Sequence, residues 1–320
     1  DKYYNATSGT NTLVVSQGPV NYLDETGVWT PINLSINVLN SSHPAYVFGY
    51  RFGNDHGLYN VYFKPSINDV WPVAFAYNKS GDPTNHVVRS KLVGVGYLDP
   101  TKDWLYKYLQ NIQSSQAQIT DNSIIFEDVF TGTDVVWSYG NTGLKEEIIL
   151  SNTTKSLLQS HPPSNYGLSN QDSYLVFITK LDYSGLNIYN NTDLLTGNLT
   201  ISDTGVDFKD ALEHFKCALP LGEAYELYNY SVSYYLVYRF LQYNGNCYLL
   251  SGLKVVDLNK MSFPVVIDPT LSIESLKNDG YIYKSGTDYD TVWNASTGTV
   301  SSSGTFISVG QKKTSRVPSD

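Results

Sequence analysis

A chain of 320 residues is long enough for two or three domains with cores of their own, and a hydrophobic content of 41% excludes disorder. Charged residues make up only 16%, with a formal net charge of −9. The tightest basic run is Lys312-Lys313 with Arg316 nearby, which argues against nucleic acid as a partner. No apolar run reaches the length of a membrane span.

From the N-terminus onward, strand signals dominate. The chain begins at Asp1 rather than Met, so it is expected to be a mature secreted product. "TNTLVVS" (Thr10–Ser16) is short and strand-prone. "PVNYLDETGVWTPINLSINV" alternates around a turn at Asp24-Glu25-Thr26-Gly27. "YNVYFK", "AFAYN" and "VVRSKLVGVGYLD" continue the pattern. "PTKDWLYKYLQNI" (Pro100–Ile112) places Trp104, Leu105, Tyr108, Leu109 and Ile112 on a helical stripe and predicts a short helix. "SIIFEDVF" and "DVVWSY" then lead through a tight turn at Asn141-Thr142-Gly143, where Gly143 is able to take a positive φ, into "GLKEEIIL".

The second half repeats this style in "SYLVFITKLDYSGLNIY", "GNLTISDTGVDF" and "YSVSYYLVYRFLQYNGNCYLL". "KDALEHFK" (Lys209–Lys216) is a second helical candidate, and Asn244-Gly245 is the best two-residue hairpin signal in the chain. "FPVVIDPTLSIES" reads as a boundary, a strand ending at Ile267 before a turn at Asp268-Pro269-Thr270. The expectation is therefore an all-β protein of β-sandwich domains with at most one or two short helices. Residues 1–150 form an N-terminal β-rich domain and 151–268 a second sandwich. Residues 269–320 are expected to form an incomplete C-terminal β module that a neighbouring subunit completes.

Two cysteines, Cys217 and Cys247, are most simply read in a secreted chain as one disulfide, the alternative being two buried thiols. Nine asparagines head N-x-S/T sequons: Asn5, Asn33, Asn40, Asn78, Asn152, Asn190, Asn198, Asn229 and Asn294. Covalent N-glycans are expected on several of them, Asn78 and Asn152 foremost because turn or loop residues surround them.

Several segments together resemble secreted, wall-associated surface proteins of archaea and bacteria, in which a β-rich region precedes a DNRLRE-type module. "VNYLDETGVWTPIN" is similar to their opening strand pair, and "IIFEDVFTGTDVVWSYGNTGLKEEIIL" to their Y-x-D-V-F…G-x-K-E hairpin. "FPVVIDPTL" is similar to their closing Y-P-V-V-I-D-P-T. The matching order covers roughly residues 10–270, after which "DGYIYKSGTDYDTVWNASTGTV" looks like the first strands of such a module. The resemblance implies an extracellular β-sandwich and no particular activity.

The charged run Lys145-Glu146-Glu147 is the main candidate for chemistry. Alternation places Lys145 and Glu147 on a solvated face and Glu146 among Leu144, Ile148 and Leu150. A glycosidase would need a second carboxyl, for which Glu127 or Asp134 is the obvious source. The competing reading, which we favour, is structural: a Glu accepting hydrogen bonds from a loop or paired with a buried Arg. His43, His56, His86, His161 and His214 show no metal-ligating spacing, and Asp288, Asp290 and Asn278-Asp279-Gly280 read as turns before a calcium site. No cofactor is expected. Trp29, Trp71, Trp104, Trp137 and Trp293 are core residues or a sugar-stacking platform. These readings favour a glycosylated, non-enzymatic structural subunit of a cell surface. It is expected to pair with copies of itself by strand donation, Thr10–Ser16 acting as donor and the C-terminal module as acceptor. The rival is a carbohydrate-binding adhesin or the non-catalytic part of a secreted enzyme.

Overall fold

The computed structural model describes residues 21–24, 26–77 and 86–273, together with the backbones of strands Lys2–Asn5, Asn11–Val14, Tyr281–Tyr283 and Thr299–Ser301. The chain divides into two compact units, residues 1–276 and 277–320. In the second, Tyr281–Tyr283 pairs antiparallel with Thr299–Ser301. Asp288, Asp290 and Asn278-Asp279-Gly280 lie outside the described residues, as do Asn78, Trp293, Asn294 and most of the tail.

The first unit is all-β, two large antiparallel sheets sharing one core. One sheet runs from Leu199–Ile201 through Val237–Tyr243, Asn246–Lys254 and Tyr174–Asp182 to the long strand Val87–Asp99. It continues through Val73–Ala76, Asn60–Phe63 and Phe52–Asn54 to Asn37–Val38. One flank of Val87–Asp99 pairs with Tyr174–Asp182, while the other is shared between Val73–Ala76 and Leu105–Asn111. The second sheet contains Ser123–Phe130, Thr133–Tyr139, Gly143–Leu150, Phe215–Leu219, Val206–Lys209 and Asn187–Asn190. Alternation along Thr133–Tyr139 and Gly143–Leu150 is strict, every second residue being buried. Inward residues of both sheets interdigitate. The Tyr59 hydroxyl donates to Gly140 O at 2.7 Å and the Tyr139 hydroxyl to Tyr59 O at 3.0 Å, tying the layers together.

Several expectations change. Residue 150 is not a domain boundary, because Val87–Asp99 and Tyr174–Asp182 are neighbours in one sheet. Nor does the chain leave the fold at residue 268: Leu271–Ser272 pairs with both Gly143–Leu150 and Phe215–Leu219. Pro100–Ile112 forms a 3₁₀ turn (Pro100–Lys102) and a strand (Leu105–Asn111). Asp103 and Trp104 take positive φ and break the helical path, and the open flank of Val87–Asp99 captures the rest. Lys209–Lys216 is a hairpin turn, because Asp210 Oδ1 accepts from Leu212 N and His214 N and closes it. The helices are instead Asn152–Ser160 and Val255–Leu258. Ser151 caps the former by accepting from Thr153 N.

Cys217 and Cys247 are not bonded to each other; both are free, buried thiols. Cys217 lies in the second sheet and Cys247 in the first. Facing sheets stand about 10 Å apart, so a bridge forms only where two Cβ vectors point directly at one another. Cys247 is turned instead to the Tyr183 and Gln242 side chains. At the N-terminus, Asn11–Val14 pairs with Lys2–Asn5 of its own chain, so this strand is not the free donor that was expected.

Candidate functional site

The charged run Lys145-Glu146-Glu147 sits where its strand changes partners. Ile148–Leu150 pairs with Val265–Ile267, and Gly143-Leu144 with Leu271-Ser272. The register is the same on both sides of the interruption. Glu147 therefore lies opposite Asp268, Glu146 opposite Pro269 and Lys145 opposite Thr270. Proline has no N–H to give to the ladder, which accounts for the gap. Gly143 does not use its freedom to take a positive φ. A Cβ there would meet Leu271 O at 2.5 Å, so glycine is required by close approach of the returning strand.

On the outer face the ladder bonds are replaced by side chains. Lys145 Nζ lies 2.7 Å from Glu147 Oε1 and 3.5 Å from Asp268 Oδ2, and donates to Tyr225 Oη at 3.0 Å. Tyr225 donates to Glu147 Oε1 at 2.7 Å, and the Thr270 hydroxyl donates to Asp268. Burial lowers the Lys145 pKa, but the hydrogen bonds to Glu147 and Tyr225 and the Asp268 charge outweigh it, so the ammonium is held above its ordinary range. Burial raises the Asp268 carboxyl, offset in part by Thr270 and Lys145. The expected solvated face is thus a half-buried cluster.

On the inner face Glu146 is 5% exposed. Its cross-strand neighbour is Trp137, whose buried indole N–H finds no hydrogen-bond partner among the described residues. Burial, reinforced by the Asp268 charge, pushes the Glu146 pKa from 4.5 to about 8, so the carboxyl is neutral at pH 7. Neither proposed second carboxyl joins it. Glu127 accepts from Gln118 Nε2 at 2.6 Å, and Asp134 accepts from Asp128 N at 2.8 Å. A general acid must reach the bond that it protonates, and Glu146 instead fills the packed core. The loop-bound or Arg-paired state expected for it is replaced by a protonated one.

The remaining candidates separate by burial. Trp137 is core at 3% exposure, whereas Trp29 is 72% exposed. Trp71 lies beneath Lys180 and Arg89. Trp104 packs under Arg239 on the outer face of the first sheet. His43 and His56 both flank Asp55, at 3.0 and 2.7 Å. No cluster of three metal-ligating side chains occurs among the described residues.

Asn33, Asn40, Asn152, Asn198 and Asn229 are exposed and Asn190 is half-buried. Asn152, expected as a foremost site, opens a helix, and its sequon threonine Thr154 is buried and bonded to Thr131 O and Gly132 O. A modifying enzyme therefore has to reach this sequon before the helix docks. Asn5 belongs to the strand Lys2–Asn5.

Sequence reasoning did not single out the strand Asn229–Tyr235. It pairs on one side only, with Glu223–Glu226, and is therefore an edge of the second sheet among the described residues. It is seven residues long and carries no charge. Tyr228, Tyr230 and Tyr235 on and beside it are 84%, 70% and 69% exposed. Its signal was an uncharged "NYSVSYY", legible as a strand but not as an edge. Comparison with protein families, with curated proteins and with solved structures returns no match.

Proposed function

We propose that this chain is a glycosylated structural subunit of an extracellular surface layer or filament, whose copies join through the open edge Asn229–Tyr235. One observation carries the reading: a seven-residue, uncharged, tyrosine-rich strand that pairs on one flank alone among the described residues. Such an edge is a template for a strand of another chain, and monomeric proteins usually blunt it with charge, proline or a bulge; this one carries neither charge nor proline, and its register is irregular between Asn229 and Ser233, which leaves Ser233–Tyr235 as its regular end. A head-to-tail contact of this kind that fails to close gives a filament. The low charge, the exposed sequons and the motif resemblance to wall-associated proteins support an exterior location. The partner strand replaces the donated N-terminal segment expected earlier, since that segment is already paired.

The test is sedimentation velocity with negative-stain imaging of the wild-type chain and of Ser233→Lys/Tyr235→Lys, which places two ammonium groups on the edge. The wild type is expected to form extended oligomers and the variant to remain monomeric with an unchanged melting temperature. Assembly that survives both lysines, or a wild type that stays monomeric, sinks the proposal. The glycosylation part has its own readout: a native intact mass equal to the unmodified 35.7 kDa polypeptide refutes it.

A further inference from the structure

The outer face of the first sheet carries an aromatic cleft of ≈ 380 Å³. Its walls are Trp104, Tyr106, Tyr243 and Tyr248, with Asp103 and Arg239 as the charged groups. The floor is the small apolar cluster around Leu98, Val176 and Leu250, separate from the main core. Trp104 is held in place from both directions. Asp103 and Trp104 both adopt left-handed backbone, at φ 55° and 58°, a conformation that costs non-glycine residues energy and that the turn imposes. The Arg239 guanidinium packs directly on the Trp104 ring, 4.3 Å from its centroid, and covers that one face. Arg239 is fixed in turn by donating to Thr200 Oγ1 at 2.7 Å.

Thr200 is the third residue of the sequon Asn198-Leu199-Thr200. The strand Leu199–Ile201 pairs with Val237–Tyr243 so that Thr200 lies opposite Arg239 and Leu199 opposite Phe240. One step further, Asn198 lies opposite Leu241, another residue of the cleft. Directly opposed residues of antiparallel strands project to the same face, with Cβ atoms about 5 Å apart. Asn198 is exposed, and its Oδ1 accepts from Gln242 N at 2.9 Å, which leaves the amide nitrogen for attachment. A glycan attachment point therefore stands at the rim of a cleft whose chemistry suits a sugar. Ring faces receive the C–H face of a pyranose, and a carboxylate and a guanidinium receive its hydroxyls.

We infer that the cleft is the seat of the oligosaccharide carried by Asn198, which folds back over Tyr243 and Tyr248 toward Trp104. The inference rests on the proposed glycosylation and names what one of those glycans does: it covers an apolar outer face that the protein itself leaves open.

The experiment uses the glycosylated chain purified from its native host, in four forms: wild type, Asn198→Gln, Asn33→Gln and Trp104→Ala. Asn33 is an exposed sequon asparagine in the loop before Asn37–Val38 and serves as a control. Peptide mass spectrometry reads occupancy at Asn198, and hydrogen exchange reads protection of residues 103–106 and 241–248. Loss of the Asn198 glycan is expected to speed exchange in these segments by about tenfold, a local opening effect, while Asn33→Gln leaves them unchanged. Trp104→Ala keeps the sequon and approaches the cleft from the other side: occupancy is expected to persist while protection of 241–248 is lost. This variant also answers the question if Asn198→Gln does not fold. An occupied Asn198 with equal protection in all forms overturns the seat alone. An unoccupied Asn198 overturns the seat together with glycosylation at that site. Protection restored to Asn198→Gln by adding the released glycan shows a site for free sugar in place of a tethered one, and overturns the intramolecular assignment.

Discussion

Glu146 holds a proton in the core, and this gives stability a pH dependence whose sign follows from linkage. An unfolded Glu146 ionises near 4.5, whereas the folded one keeps its proton to about 8. Between those values the unfolded chain has released a proton that the folded chain retains, so its contribution is unpenalised below pH 4.5 and falls as pH rises toward 8. At roughly 1.4 kcal/mol per pH unit, the loss at the top of the window is about 4–5 kcal/mol. Glu146→Gln keeps the shape and removes the charge. It is expected to be near neutral at pH 4.5 and to stabilise by about 3 kcal/mol or more at pH 8, read from urea midpoints. A stability increment that does not change with pH would show that the residue already ionises in the fold. The two cysteines make a second prediction at this scale. Burial raises both thiols, Cys247 to about 11 and Cys217 further. Both are expected to resist alkylation in the native chain and to react fully in urea without reductant. A mass showing two missing hydrogens and no labelling would instead establish the disulfide.

At the scale of elements, the proposed assembly sets the edge strand against its own sequon. Asn229 opens the strand Asn229–Tyr235 and its Oδ1 accepts from the Ser231 hydroxyl at 2.6 Å. A glycan there confines pairing to the far end of the strand, so Asn229→Gln is expected to lengthen assemblies or speed their growth in light scattering, and no change would dissociate the glycan from the contact. The helix Asn152–Ser160 makes a different point. Its sequence NTTKSLLQS is poor in strong helix formers, which is why propensity did not announce it. What holds it is tertiary: Thr154 donates to Thr131 O and Gly132 O and bonds the Thr133 hydroxyl at 3.1 Å. Thr154→Val, made in a host that adds no N-glycans, removes these bonds, including the one to the buried Thr133 hydroxyl, and is expected to cost about 1–3 kcal/mol in urea unfolding. The hairpins, by contrast, were legible because their determinants are local. Asn244 and Gly245 both take positive φ, as a two-residue primed turn demands. Asp24 fixes the first turn by accepting from Thr26 N and Val28 N. Pro100–Ile112 was misread because its apolar spacing fits a helix as well as a strand, and only the vacant flank of Val87–Asp99 decides.

For the molecule as a whole, both halves of the sequence supply strands to each sheet, so the fold has no separable first half. A fragment of residues 1–150 leaves Val87–Asp99 without Tyr174–Asp182, its partner for most of its length. That fragment is expected to show no cooperative urea transition, whereas residues 1–276 unfold in one. Two superimposable transitions assignable to the halves would contradict this. The all-β class could be read from alternation alone, but the domain division could not, since long-range pairing leaves no local trace in sequence. The Lys145-Glu146-Glu147 cluster was half legible: alternation separated its two faces, but nothing local disclosed that Asp268-Pro269-Thr270 would lie against it. One further consequence lies in the passage from Asn229–Tyr235 to Val237–Tyr243, which are separated by Leu236 alone. A single stretch of backbone is thereby edge strand of one sheet and interior strand of the other. A displacement of the edge is therefore passed along this backbone to the Asn246–Lys254 ladder, which it enters at the open end of the hairpin, where Val237 faces Gly252. A strand added to the edge would thus be felt in the first sheet as well as the second, through Leu236 alone.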